Sequence, residues 1–348
     1  MKKYEIGMCG HFDSSAVGEN GQTIRTNNIR KQITKHYGES HVRCISTHQW
    51  RKHPVSLMLK ILKLCFSCKA ILLFPNTGSV RVILPLCVFM KNITRIKVYY
   101  NVIGGWLPKL LSENKKVLRA VKKTDMLFIQ TETMKKQLAE VGVLNTVVFP
   151  NFKDLKPVGN EDLHPAFSYP LPCCFISRVT ERKGVEDAIN AIQQINRDEI
   201  RLKFDIYGPI DETYKNKFEA VLAACPDYIA YKGVVDNDKT AEVLKNYFVQ
   251  VFPTHYATEG HPGSLIDSLY AGLPVVASRW NSCDDVVIEN VTGVTYDFAS
   301  EEALTEKLLY CLNNQEKINA MRVECVKATA RYSPEEIMKI MYRVFDTE

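Results

Sequence analysis

A doubly wound α/β architecture, built twice along one chain, is the fold class this sequence predicts. Three observations carry that reading. Short apolar runs alternate with helical patterns from end to end. The runs lack strict polar alternation, as expected for parallel strands buried on both faces. The third is charge: residues 1–150 carry 24 Lys and Arg against 8 Asp and Glu, a net +16, whereas the remainder carries 21 against 31, a net −10. A basic half joined to an acidic half argues for two domains with different partners, and 348 residues suffice for each to bury its own core.

The strand-like runs of the first half are 4–9, 42–46, 70–74, 97–102, 126–130 and 147–150; those of the second are 173–177, 203–207, 229–233, 249–252, 274–278 and 293–296. Most are rich in Val, Ile, Phe and Tyr. Residues 22–37 read as a helix, with Ile29, Ile33 and Tyr37 on one stripe and Gly38 as its stop. The polar, Pro-containing interval 153–172 reads as a linker between a first domain, 1–152, and a second, 173–330. Near the end, Ser333-Pro-Glu-Glu336 forms a capping box ahead of a helix over 337–345, within a terminal segment 331–348.

Composition narrows the function class. Hydrophobic residues at 46% and charged residues at 24% are those of a soluble globular enzyme. Eleven scattered cysteines point to a reducing cytoplasm, and Cys65-Phe-Ser-Cys68, without a second pair, reads as buried packing rather than zinc or redox chemistry. Met-Lys-Lys passes at once into a strand-like run, so no signal peptide is expected. The longest apolar run, 82–90, is too short to span a bilayer. Residues 56–64, with Lys60 and Lys63, form a basic amphipathic stretch that reads either as a core-facing helix or as one lying on a membrane. The basic half reads as facing anionic lipid head groups, a lipid-linked pyrophosphate acceptor or nucleic acid. Nothing in it resembles a nucleic-acid module, so a cytoplasmic protein peripheral at the inner membrane face is favoured over one whose basic surface serves only solubility or donor steering.

The chemistry concentrates in two blocks. In Glu259-Gly260-His261-Pro262-Gly263-Ser264-Leu-Ile-Asp267, a buried strand runs into a loop with one carboxylate and then into a helix. The free N–H groups and dipole at that helix start favour an anion or sugar hydroxyls, and Asp267 lies about one turn below Gly263 on the same face. The second block is Phe175-Ile-Ser-Arg178-Val-Thr-Glu-Arg-Lys183-Gly184. Arg178 and Lys183 surround a turn after a strand, where Arg forks onto phosphate oxygens and Lys adds a point charge. Gly18-Glu-Asn20-Gly21 offers a loop without bulky side chains ahead of a helix. Gly104-Gly105-Trp106 follows a strand; its indole reads as a sugar-stacking face or as a core anchor. His261 reads as a hydrogen-bond donor or as packing. There is no Asp-x-Asp motif and no His/Cys cluster, so neither a metal nor another cofactor is expected.

Together these blocks closely resemble the signature of retaining family-four glycosyltransferases (glycosyl transferases group 1) of the GT-B fold, over most of residues 171–330. The resemblance implies two Rossmann-like domains facing a cleft, the first binding the acceptor and the second the nucleotide sugar, with a last helix crossing back to the first domain. It assigns Arg178 and Lys183 to the donor diphosphate, Glu259 and the 260–263 backbone to the hexose, Asp267 to the ribose, and Tyr207 and Gly208 to the base. Asp267 departs from the family's usual Glu by one methylene, and His261 replaces its usual aromatic. The implied reaction moves a hexose from a nucleotide-diphosphate sugar, UDP favoured over GDP, to a glycan or lipid-linked acceptor in surface polysaccharide synthesis. A GT-B sugar-nucleotide epimerase and a non-catalytic sugar-nucleotide-binding protein are the rival readings. None of His36, His41, His48 or His53 matches a catalytic assistant.

Overall fold

The structure is a computed structural model that describes residues 3–12, 21–48, 50 and 52–346. The chain divides into two compact units, Met1–Asn151 with Ile337–Glu348, and Phe152–Glu336.

Unit 1 carries the strands β1 (Tyr4–Gly10), β2 (Val42–Ser46), β3 (Cys68–Leu73), β4 (Lys97–Asn101), β5 (Met126–Ile129) and β6 (Thr146–Val148). They form one parallel sheet in the order β2-β1-β3-β4-β5-β6. Its crossovers are α1 (Gly21–Tyr37), α2 (Pro54–Ser67), α3 (Val80–Thr94), α4 (Leu107–Glu113), α5 (Lys115–Val121) and α6 (Glu132–Glu140). Unit 2 repeats the plan with β7 (Leu171–Ile176), β8 (Leu202–Tyr207), β9 (Ile229–Gly233), β10 (Val249–Phe252), β11 (Val275–Ser278) and β12 (Gly293–Tyr296). The order here is β12-β11-β10-β7-β8-β9, again wholly parallel. Its helices are α7 (Val185–Ile195), α8 (Lys215–Ala223), α9 (Thr240–Leu244), α10 (Gly263–Tyr270), α11 (Glu301–Asn313) and α12 (Gln315–Ala328). The expected fold class is borne out, and all twelve strand-like runs are strands with ends displaced by two residues or fewer.

The reason is visible in burial. Every residue of β10, β11 and β12 is buried, so these strands have no solvent face to mark with polar alternation. Helices show the complementary pattern: α7 buries Val185, Ala188, Ile189, Ala191 and Ile192, and the remainder is polar apart from half-buried Ile195 at its end. The 56–64 stretch divides its apolar residues. Leu57, Ile61, Leu64 and Cys65 of α2 are in the core, whereas Val55, Leu59 and Phe66 are exposed. Cys65 and Cys68 are buried thiols outside any disulfide, and Cys65 hydrogen-bonds Cys87.

The last helix, α13 (Pro334–Asp346), joins unit 1 from Ile337 onward. Tyr342 stacks on His36 at 3.9 Å and donates to the Gln32 carbonyl at 3.0 Å, while Phe345 packs on Tyr99 and Phe128. Aromatic burial of this kind fixes a helix by area and geometry without needing long-range charge.

In each sheet the strand order reverses once, between β1 and β3 in unit 1 and between β7 and β10 in unit 2. Loops that leave neighbouring strands at such a reversal splay apart and open a crevice beyond the carboxyl ends.

One buried cation braces the strand that feeds the unit 2 crevice. Arg322 of α12 is fully buried, and its guanidinium donates to the carbonyls of Tyr247 at 2.9 Å and Lys245 at 2.6 Å, just ahead of β10. Burial holds its pKa down to about 10, still charged at neutral pH. Arg322→Met fills similar space but orphans two carbonyls, so equilibrium urea unfolding should show a loss of about 2–4 kcal/mol. A loss below 0.5 kcal/mol would show that water reaches those carbonyls.

Candidate active site

Strands β7 and β10 are neighbours, with Val249 opposite Cys173 and Gln250 opposite Cys174. Their following loops therefore leave the same sheet edge side by side. The first loop makes a short turn, Glu181–Lys183, and enters α7 through Gly184 at φ 70°. A Cβ on Gly184 would sit 1.8 Å from the Pro253 carbonyl oxygen, so only glycine allows the two loops this approach.

That approach assembles the site. Lys183 forms an ion pair with Glu259, both partly buried, and the Thr254 hydroxyl donates to the same carboxylate oxygen at 3.0 Å. The Lys183 ammonium also lies 5.1 Å from the Phe252 ring centroid and 5.5 Å from that of Tyr256. Arg182 stacks its guanidinium on Tyr256 at 4.1 Å. The Glu259 loop is tied down by Ser278, which donates to the Thr254 carbonyl at 2.8 Å, and by Asn281 N–H, which donates to Ala257 at 3.1 Å.

Two helices begin here. α7 starts after Gly184 with Glu186 and Asp187 in its first turn, so carboxylates already answer its positive end. α10 starts at Gly263, one residue beyond Pro262, with no side-chain cap and no acid in its first turn. Its leading N–H groups and its end of the macrodipole are thus left to a ligand, and an anion there gains roughly 0.3–1 kcal/mol from the dipole alone.

The remaining expected residues fall in several places. Arg178 faces Asp211 at 3.6 Å rather than the Lys183–Glu259 pair, and both partners are solvent-accessible. The Asp211 carboxyl is held below the usual range, first by hydrogen bonds from Thr213 and then by Arg178. Asp267, on α10, is buried and paired with Lys153 at 3.0 Å; desolvation raises its pKa although Lys153 opposes that shift. His261 is buried with its ring 5.0 Å from Tyr332. The Tyr207 hydroxyl meets that of Tyr247 at 2.7 Å, and Tyr247 donates onward to Asp205 at 2.7 Å. The Gly208 carbonyl accepts from Tyr231 at 2.9 Å. Gly18 and Asn20 lie outside the described residues, and Gly21 opens α1. In unit 1, Gly104 N–H donates to Gln130 at 2.7 Å, Gly105 follows it in the bend, and the Trp106 indole donates to the Ile103 carbonyl at 2.8 Å while packing on the core.

Sequence reasoning did not single out His255 and Asp187. His255 Nε2 meets the Asp187 carboxylate at 2.6 Å, and its backbone N–H donates to the Arg182 carbonyl at 2.8 Å, so it clamps the two loops together. The available signal was that His255 follows β10 by three residues and Asp187 lies in the first turn of the helix after β7; their adjacency needs the strand order. No cluster of three His, Cys, Asp or Glu with metal-binding spacing occurs among the described residues.

Gly184→Ala tests the loop approach directly. The added methyl clashes with the Pro253 carbonyl and must also hold a left-handed backbone, which together should destabilise unit 2 by about 2–4 kcal/mol. Thermal unfolding reads the change, and an unshifted midpoint would mean that the loops separate freely.

The comparisons with known proteins agree on this half of the chain. The sequence model of the glycosyl transferases group 1 family matches residues 170–329. An uncharacterized glycosyltransferase of Methanocaldococcus jannaschii is 24% identical over 42% of this chain and 38% of its own length. The amylovoran biosynthesis glycosyltransferase AmsK of Erwinia amylovora is 25% identical over 43% of this chain and 38% of its own length. The matches thus span well under half of these relatives. Across both units, the crystal structure of Anabaena HepE in complex with UDP superposes with a TM-score of 0.76 at 13% identity, covering 99% of this chain and 100% of that one. The loops that carry Lys183 and Glu259 lie within the matched region, residues 170–329, whose sequence is similar to the glycosyl transferases group 1 family.

Proposed function

We propose that this chain is a retaining glycosyltransferase that moves a hexose from a nucleotide-diphosphate sugar to a hydroxyl of a glycan acceptor. The observation that carries the reading is the Lys183–Glu259 pair at the β7/β10 reversal, beside the uncapped start of α10. A diphosphate brings more negative charge to Lys183 than one carboxylate does. It draws the ammonium onto its own oxygens and releases Glu259 to accept hydrogen bonds from hexose hydroxyls. The backbone N–H groups of Gly260, His261 and Gly263 then address the same ring, Pro262 having none. Arg178, released from its exposed partner Asp211, adds a second cation to the leaving group. Asp267 accepts from the ribose hydroxyls only if Lys153 shares it, since that pair is buried.

The chemistry follows from charge placement. As the glycosidic bond breaks, negative charge grows on the leaving diphosphate, and fixed cations stabilise it without reorganisation. The acceptor attacks from the face the diphosphate leaves, and the leaving oxygen takes its proton, so retention needs no protein nucleophile beneath the sugar. UDP is favoured as the nucleotide because UDP and UDP-glucose are the ligands of HepE structures that share this fold. Polysaccharide synthesis is favoured because AmsK is named for amylovoran biosynthesis. A lipid-linked acceptor and an anionic inner membrane surface fit the basic charge of residues 1–150.

Thermal stabilisation by UDP-, GDP- and ADP-sugars tests the donor class, since a ligand at a hundred times its Kd adds about 2.7 kcal/mol to stability. Lys183→Ala should lower transfer about a hundredfold or more, with unfolding unchanged. Glu259→Gln should weaken binding of the sugar nucleotide while leaving the free nucleoside diphosphate nearly unaffected, as calorimetry would read. Equal losses for both ligands would remove Glu259 from the hexose.

We also propose that catalysis is metal-independent, with Lys183 and Arg178 supplying the positive charge. Donor turnover should therefore persist in excess EDTA, and loss of turnover that Mg²⁺ or Mn²⁺ restores would overturn this.

A further inference from the structure

In unit 1, α2 and α3 pack side by side, and α3 packs in turn on α5. Each of the first two helices buries one stripe and exposes another. On α2 the exposed stripe is Val55, Leu59 and Phe66, at 69%, 61% and 62% of their full exposure. On α3 it is Val82, Phe89 and Ile93, at 43%, 61% and 56%. Both sets recur at helical spacing, four and seven residues apart, so each lies along one stripe of its helix rather than as scattered single residues. Exposed apolar area of this kind is unfavourable in water unless something covers it.

Charge decides what covers it. From Ser40 to Ser112 the chain has no Asp or Glu. Lys60 and Lys63 interrupt the α2 ridge, and Arg81 opens α3. Neighbouring α5 carries Lys115, Lys116 and Arg119 on its exposed face, followed by Lys122 and Lys123. Of the carboxylates that flank α5, Glu113 precedes it and Asp125, which follows it, is engaged by Lys91 at 2.8 Å. A second copy of this chain placed ridge to ridge would bring two cationic rims together. An anionic bilayer satisfies both features at once, since acyl chains accept the ridges and head groups accept the lysines. Among the described residues no helix is long and apolar enough to cross a membrane.

We infer that the α2/α3 face, rimmed by α5, is a membrane-docking surface for anionic phospholipid. Val55, Leu59, Phe66, Phe89 and Ile93 enter the interface while the lysines and Arg119 meet the phosphates. The inference gives the membrane reading a defined face, and it stands apart from the donor chemistry of unit 2.

The test uses the full chain with vesicles of phosphatidylcholine alone and of phosphatidylcholine with phosphatidylglycerol. Co-sedimentation should occur with the mixed vesicles and not with the neutral ones. It should weaken as salt screens the lysines from the head groups. Leu59→Glu with Phe89→Glu should lower the partition coefficient tenfold or more, because it removes two inserting apolar side chains and adds two charges that the head groups repel. Both sites are exposed, so the unfolding midpoint and the thermal shift with nucleotide sugar should match the parent, which separates this result from failure of the donor reading. Wild-type protein left in the supernatant with mixed vesicles at low salt overturns the inference. So does undiminished binding by the double variant, which would move docking to another face. Sedimentation velocity showing a dimer that the double variant abolishes would assign the face to a second copy instead.

Discussion

The contact between the loops after β7 and β10 is the constraint on which the candidate site rests. Sequence places these loops some seventy residues apart, and only the pairing of Val249 with Cys173 and Gln250 with Cys174 sets them at one sheet edge. Gly184 then lets one backbone lie against the carbonyl of Pro253. Lys183, His255 and Glu259 take their positions from that approach, and so do the aromatic rings on either side of the lysine. Glycine is required there by sterics and by backbone hand, two independent reasons that reinforce each other.

Electrostatics at this edge is graded rather than uniform. α7 carries carboxylates in its own first turn and is internally compensated, whereas α10 begins without acid or cap. The Lys183–Glu259 pair is partly buried, so each charge is strengthened by lowered screening while still within reach of solvent. Such a pair is exchangeable, because a ligand with more charge than a carboxylate can displace one partner. The Asp267–Lys153 pair, by contrast, is buried and acts as a brace between α10 and the start of unit 2. The same residue types serve different ends according to depth, since removing one member of a buried pair strands the other charge.

The two units divide the chain's charge as well as its fold. Unit 2 holds the motifs of sugar-nucleotide chemistry on an acidic background, with local cations concentrated at one loop pair. Unit 1 holds a long stretch without carboxylates and two helices that keep apolar ridges in solvent. These are separable physical properties, one set by a few side chains at a strand reversal and the other by the surface of a helical layer.

Sequence alone determined the strand inventory and the alternation of strands with helical crossovers, because parallel strands buried on both faces read as apolar runs. It also determined the chemical vocabulary of the site: Arg178, Lys183, Glu259 and Asp267 are legible as charges placed after strands. What sequence could not provide was partnership. Arg178 turns to Asp211, Asp267 to Lys153, and His255 to Asp187, each across a gap closed by strand order or by a loop approach. Nor could it decide the facing of α2, whose apolar residues exceed what one buried stripe accepts. Helical periodicity says which residues share a face; only packing against the sheet and against α3 says which face is left outside, because burial is a property of the assembled layers and not of the segment.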